Sequence, residues 1–380
     1  MLPITYAIRN LFRDPARLVQ TVGGSTLVVL LVMGAFALNR GMTEVLSATG
    51  SPRNVILLGA GSEESIERSE VHLEAESLAQ TIRGLDARLG ITAVSGEIHY
   101  MAPLTLANEA SAQARLRGVN EKALLVHPRV RLVEGHFPSP GEVMVGRLAH
   151  HTLGVSPQVL AIGKHVHFGN AEFTITGRFE APGTVMESEV WFDRNDLATL
   201  TQRDSLSCVV TRLDEAEFDD VATLTFQRTD MELAAIGEDT YYGKLANFYR
   251  PIRAITWLTA ALIAAGAVFG GFNTLYAAFA TRIREMGTLQ AVGYGRPALL
   301  LSLVQESVLA TLTGTLLATI LAAFLLDGFT IPFSVGTFTL TLSPTVLLAG
   351  LVAGLLLGIL GALPPALRCL RPSLPETLSS

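Results

Sequence analysis

The sequence predicts an α-helical membrane protein with four transmembrane helices plus a large α+β domain inserted between the first and second. Three observations carry that prediction. The 380 residues have a mean hydropathy of +0.41 and only 16% charged side chains, too apolar for an ordinary soluble protein. Four apolar runs reach the roughly 20 residues that a bilayer-crossing helix needs. Between the first and second of these runs, residues 40–252 carry the charge and the alternating patterns of a water-soluble domain.

Residues 1–17 form a short amphipathic entry with Arg9, Arg13 and Arg17. The first span covers 18–39. "AFA" at Ala35–Ala37 looks like a secretion cleavage site, but the apolar core is too long and too far from the start for a signal peptide. The insert reads as mixed α and β. "SEVHLEAESLAQTIRGL" has helical spacing, with Ser69 as its cap and Gly84 as its stop. "GEVMVGRLAHHTLGV" reads as a strand running into a helix. "KHVHFGNAEFTITGRF" alternates on both sides of the turn dipeptide Gly169-Asn170 and predicts a hairpin. "LSCVVTRL" predicts a strand, and "DEAEFDDVATLTF" opens with the acids favoured in a first helical turn. Tyr241, Tyr242, Phe248 and Tyr249 suggest an aromatic belt where the chain re-enters the membrane.

The second span covers 253–281, the third 299–326 and the fourth 344–367, with a short loop at 327–343 and a tail at 368–380. Gly266 and Gly270, and likewise Gly350, Gly354 and Gly358, recur at four-residue spacing. Such faces let helix backbones approach closely, within one chain or between two. Arginines cluster before the first span, in the 282–298 link and in the tail, whereas the 327–343 loop has no Lys or Arg. By the positive-inside rule both termini and the 282–298 patch are cytoplasmic and the insert is outside.

Several chemistries are excluded. A net charge of −6 without a basic stripe argues against nucleic acid. None of the three lysines, Lys122, Lys164 and Lys244, sits in a phosphate-cradling GxxxxGK[ST] loop, so this chain does not hydrolyse ATP. No GxSxG elbow is present. Cys208 and Cys369, placed on opposite sides of the membrane, cannot pair within one chain. Among His150, His151, His165 and His167, only the last two share a strand face in a way that permits two-point coordination. No carboxylate stands out to complete a metal site, so these histidines read as a solvated face above inward-pointing Val166 and Phe168. The one ionisable group deep in a span is Glu306, which the neighbouring arginines can neutralise.

The patch "RIREMGTLQAVGYGRPA", the opening "AIRNLFRDPARL", the insert stretches "RLVEGHFPSPGEVMVGRLAHHTLGV", "FTITGRFEAPGT" and "EVWFD", and the close "PALRCLRPSLPETL" resemble the MacB/FtsX-type ABC transporter permeases. The resemblance covers nearly the whole chain and implies a permease of the bacterial inner membrane. It implies that 282–298 is a coupling helix docking on a separate cytoplasmic ABC ATPase. Arg282, Arg284, Glu285, Met286, Gly287, Thr288, Leu289, Gln290 and Gly293 occupy the matching positions. ATP and Mg would be bound by that partner, leaving this chain without a cofactor or catalytic residue. The resemblance further implies a second permease copy in a homodimer, an adaptor protein in the periplasm, and mechanical work by the periplasmic core domain in efflux or secretion. A lipoprotein-releasing permease is the alternative within the family. A membrane-anchored receptor or scaffold is the alternative outside it.

Overall fold

The computed structural model describes residues 4–106 and 110–371, so most of the tail assigned to 368–380 lies outside the described residues. Two units divide the chain. One holds residues 1–40, 251–329 and 340–380, and the other holds 41–250 together with 330–339.

In chain order the helices are α1 (Ile4–Leu11), α2 (Pro15–Thr49), α3 (Glu74–Ala79), α4 (Ala123–Val126), α5 (Ala149–Thr152) and α6 (Arg194–Thr201). They continue with α7 (Phe218–Gln227), α8 (Glu238–Phe248), α9 (Arg250–Ala280), α10 (Ile283–Ala291), α11 (Arg296–Leu325) and α12 (Pro344–Cys369). The strands are β1 (Asn54–Gly59), β2 (Ala87–Arg88), β3 (Ile91–Thr92), β4 (Val94–Leu106), β5 (Ser111–Val119), β6 (Arg131–Gly135) and β7 (Glu142–Gly146). Then follow β8 (His165–Phe168), β9 (Ala171–Glu180), β10 (Val190–Asp193), β11 (Cys208–Arg212), β12 (Leu233–Gly237), β13 (Thr330–Phe333) and β14 (Gly336–Thr339).

In the helical unit, α2, α9, α11 and α12 are each long and apolar enough to cross a membrane. Helix α2 begins sharply because Pro15 needs no backbone donor there and the Asp14 carboxylate accepts from the Arg17 amide at 3.2 Å. At 35 residues it is about 52 Å long, well beyond a hydrocarbon core of about 30 Å. The sequence placed its end near residue 39. The helix continues because Met42, Val45 and Leu46 give the extra turns a buried face. It stops before Gly50, where a Cβ would meet the Asp239 backbone at 2.7 Å.

Packing within the bundle runs through small residues. A Cβ on Gly350 would lie 2.7 Å from Met33 Sδ of α2, and one on Gly358 would lie 2.9 Å from Val308 Cα of α11. A Cβ on Gly354 would collide with Thr315, and one on Gly314 with Ser25. Thr26 Oγ1 also donates to the Gly314 carbonyl at 3.1 Å. Gly266 has open space beside it, and Gly270 lines a cavity of about 240 Å³ with Gly24, Ser25, Gly271 and Ser307. The two glycine stripes therefore differ: that of α12 is filled inside this chain, that of α9 is not, among the described residues.

In the other unit, a ten-stranded mixed sheet runs β12-β1-β11-β4-β5-β10-β7-β9-β6. Strand β4 changes partner along its length, pairing with β11 over 94–97 and with β5 over 98–105. At its far end Thr105 and Leu106 pair with β8, which also pairs with β9. The strands β4-β5-β10-β7-β9-β8 thus close on themselves, which removes edges that would otherwise invite pairing. The core between sheet and helices gathers Leu57, Val94, Ile98, Val143, Phe192 and Val209.

The β8–β9 hairpin forms as its alternation predicts, with Val166 in the core. So does α7, whose Glu217 and Asp220 make a reciprocal capping box. The helix expected from Ser69 shrinks to Glu74–Ala79. Ser69 is no cap: it is fully buried and its Oγ accepts from the Gly59 amide at 2.9 Å, tying the loop to β1. Gly84 does mark a turn, with φ +82° and a carbonyl that accepts from the amides of residues 214, 215 and 216. The aromatic belt is a correction: Tyr241, Tyr242 and Tyr249 are buried in this unit, and only Phe248 is exposed. The 327–343 loop is another. Its centre is the β13–β14 hairpin, which packs within the sheet-containing unit, where a Cβ on Gly336 would lie 3.0 Å from Val185 Cβ.

Candidate functional site

The 282–298 patch folds as α10 and a tight turn. Helix α10 ends in a Schellman arrangement, with the Tyr294 amide donating to the Leu289 carbonyl at 3.1 Å and the Gly293 amide to that of Gln290 at 3.0 Å. Gly293, at φ +106°, is the left-handed residue this ending requires. Gly295 has an ordinary extended backbone and no close neighbour, so the turn does not depend on its being glycine.

The two faces of α10 differ. Met286 and Gly287 are buried, and Met286 packs with Leu275, Phe279, Leu299 and Ala366, while Leu289 lies against the same cluster and Gln290 is half-buried. Arg284, Thr288 and Val292, one turn apart in succession, are exposed. Glu285 is already engaged: Arg13 Nη1 donates to its Oε1 at 2.7 Å.

Arg282 lies just before α10, is 8% exposed, and points away from that outer face. Its Nη1 donates to both oxygens of Glu306, at 3.1 Å and 3.3 Å, and its Nη2 donates to the Asn10 carbonyl at 3.4 Å. Arg17 donates to Glu306 Oε1 as well. Ten residues into α11, or about 15 Å along it, one carboxylate therefore collects two guanidinium groups. This cluster ties α1, α2, α10 and α11 to a single buried point. The sequence singled out Glu306 and Arg282; it did not single out Arg17 as the third member, because 289 residues separate it from Glu306.

A second buried ionic cluster, absent from the sequence reading, lies in the sheet-containing unit. Glu97 of β4 is fully buried and accepts from Arg117 at 2.7 Å, from His127 Nε2 at 2.9 Å and from His99 Nε2 at 3.3 Å. Arg117 of β5 also makes a two-pronged contact with Glu189, at 2.7 and 2.8 Å, and Trp191 Nε1–H donates to the same carboxylate at 2.9 Å. Glu238, at the start of α8, accepts from Asn54 at 3.0 Å and from the Ser51 amide at 2.9 Å. The segment leaving α2 and the helix leading to α9 thereby share one carboxylate.

Burial alone would raise all three carboxyls. The neighbouring His127 and Arg117 outweigh it for Glu97, holding it well below the usual range, and Arg117 brings Glu189 down to about 2. For Glu238 burial wins, partly offset by His127, and its carboxyl is raised. Both faces of this part of β4 are buried, so alternation gives no hint that Glu97 and Arg117 turn inward. Glu97, His99 and Cys208 have donor atoms within 4.8 Å of one another, yet they fit a metal poorly. Arg117 already occupies Glu97, and burial pushes the Cys208 thiol well up, away from the thiolate a metal needs.

Residues 19–224 match the MacB-like periplasmic core domain, and residues 257–374 match the FtsX-like permease C-terminal region. No curated protein matches the chain. Among solved structures, the periplasmic region of MacB from Actinobacillus actinomycetemcomitans is 13% identical, covering 54% of this chain and 98% of its own at a TM-score of 0.40. The extracellular domain of YknZ, an ABC-type transporter of Gram-positive bacteria, is 16% identical, covering 48% and 97% at 0.36. With the two family matches together spanning most of its length, the chain belongs to the MacB/FtsX-type permease family.

Proposed function

We propose that this chain is the membrane-spanning subunit of an efflux or secretion transporter. A separate cytoplasmic ABC ATPase docks on the outer face of α10. The observation that carries this reading is the two-sidedness of α10. Arg284, Thr288 and Val292 are free to meet a partner, while Met286 and the Arg282–Glu306–Arg17 cluster hold the other side to the membrane helices. A force on that helix reaches α2 and α11 through buried charge-assisted bonds, which resist extension better than exposed pairs. Arg284 is the contact residue in this reading, and Glu285 instead ties α10 to Arg13.

Helix α2 is continuous from Pro15 to Thr49, and β13–β14 joins α11 to α12 from within the sheet-containing unit, so movement has several routes to that domain. ATP binding and hydrolysis by the partner would thereby drive mechanical work in the periplasm, with two permease copies and an adaptor protein completing the assembly. Co-purification tests the docking. Arg284→Glu should abolish recovery of a cytoplasmic ABC ATPase that co-purifies with the parent chain, while leaving the permease's melting profile unchanged. Full recovery of the ATPase with the reversed charge would remove the basis for the proposal.

A further inference from the structure

The β8–β9 hairpin carries a group of donors that the family matches leave without a role. The two-residue loop Gly169-Asn170, with Gly169 at φ +60°, fixes the register so that Phe168 faces Ala171. In that register His167 is directly opposite Glu172, and His165, two residues earlier on the same face, is diagonal to it. Val166 between them is buried in the core, so both imidazoles stand on the outer face. One carboxylate oxygen, Glu172 Oε1, lies 3.4 Å from His165 Nδ1 and 3.9 Å from His167 Nε2. The carboxylate that the sequence did not reveal is therefore supplied from across the turn.

We infer that His165, His167 and Glu172 form a surface site for a divalent transition-metal ion of the zinc or copper class. Two imidazoles with one carboxylate are the donor set such ions take, whereas magnesium and calcium favour all-oxygen shells. The carboxylate is spaced for shared coordination with either imidazole after small side-chain rotations. Donors about 2.0–2.1 Å from a tetrahedral ion are about 3.4 Å apart. The His165–Glu172 separation already has that value, the His167–Glu172 separation needs to close by about half an ångström, and the two imidazoles must rotate further toward each other. The three side chains are 51%, 44% and 55% exposed, so rotation to close the set meets no packed core, and water completes the coordination. Thr174 Oγ1, 3.4 Å from His165 Nδ1, is the remaining polar neighbour. A bound ion would clamp β8 to β9, and β8 is the strand that completes the closed ring through its two pairs with β4.

The test uses the full chain in detergent, purified without a polyhistidine tag, stripped of metal with a chelator and titrated with Zn²⁺ against a chromophoric competitor. One equivalent should bind in the micromolar range and raise the melting temperature. His165→Ala and His167→Ala should each weaken binding by about tenfold or more, with a smaller loss for Glu172→Gln. His150→Ala should leave binding unchanged. Because the substituted groups are exposed, the zinc-free melts of all variants should overlay that of the parent, marking any loss as local. Two results overturn the site: no saturable equivalent in the micromolar range, or undiminished binding when His165 and His167 are both replaced.

Discussion

Replacing Glu306 by Gln removes the single anion shared by Arg17 and Arg282. Both guanidinium groups contact the same oxygen, so their donor nitrogens remain within about 6 Å of each other. At an effective dielectric of about 20, two such charges repel by about 3 kcal/mol. Losing one partner of a buried pair costs about 3–5 kcal/mol by precedent, a range that contains this figure. Arg282→Gln should cost less, about 1.5–3 kcal/mol, because Glu306 keeps Arg17 and loses only one charged hydrogen-bonding partner. In the double variant only Arg17 stays charged and the repulsion is gone. Its cost should therefore fall short of the summed single costs by about 2–3 kcal/mol. Unfolding in mixed micelles with increasing SDS, followed by far-ultraviolet circular dichroism, measures all four proteins of the cycle. Additivity within about 0.5 kcal/mol would show that the three groups do not act as one cluster.

In the sheet-containing unit, Arg117→Met should lower stability by about 3–5 kcal/mol, since Glu97 and Glu189 are then buried without their shared cation; a calorimetric melt within about 1 kcal/mol of the parent would refute it. Acid should act through the same pair. Glu97 and Glu189 bind protons less readily folded than unfolded, so their stabilisation is present above about pH 4.5 and drains away as the pH falls through their depressed folded values, about 2 for Glu189. For Glu189 the drop from 4.5 to about 2 corresponds to about 3 kcal/mol. Glu238 works in the opposite sense, its raised carboxyl gaining from protonation, so Glu238→Gln should steepen the acid loss seen in melting temperature against pH. Among the glycines, Gly354→Val should destabilise the helical unit by about 1–3 kcal/mol through its collision with Thr315. Gly266→Ala, beside open space, should leave the SDS midpoint of the monomeric permease unchanged or slightly higher.

Much of this protein is written locally. The four apolar runs, the arginines at their ends, the Gly169-Asn170 hairpin and the acids opening α7 depend on neighbours a few residues away, so they can be read from the chain itself. The patch around α10 was legible for the same reason, down to the glycine that ends it. Which way its side chains turn was not. Only the folded bundle commits Glu285 to Arg13 and leaves Arg284 exposed, because that choice depends on where α1 and α2 lie.

Tertiary structure alone decided the charged interiors. Arg17 and Glu306 are 289 residues apart, and Arg117 and Glu189 are 72 apart. Nothing near any of them in sequence distinguishes a buried ion from a solvated one, because a charge goes inside only if its partner arrives from elsewhere. The same logic separates Gly350, Gly354 and Gly358 from Gly266 and Gly270: identical spacing, but among the described residues only the first set lies close against a neighbouring helix. It also explains Glu172, whose place beside two histidines follows from strand register across a turn. Sequence sets what each segment is, and the distances between segments set which of its groups face a partner.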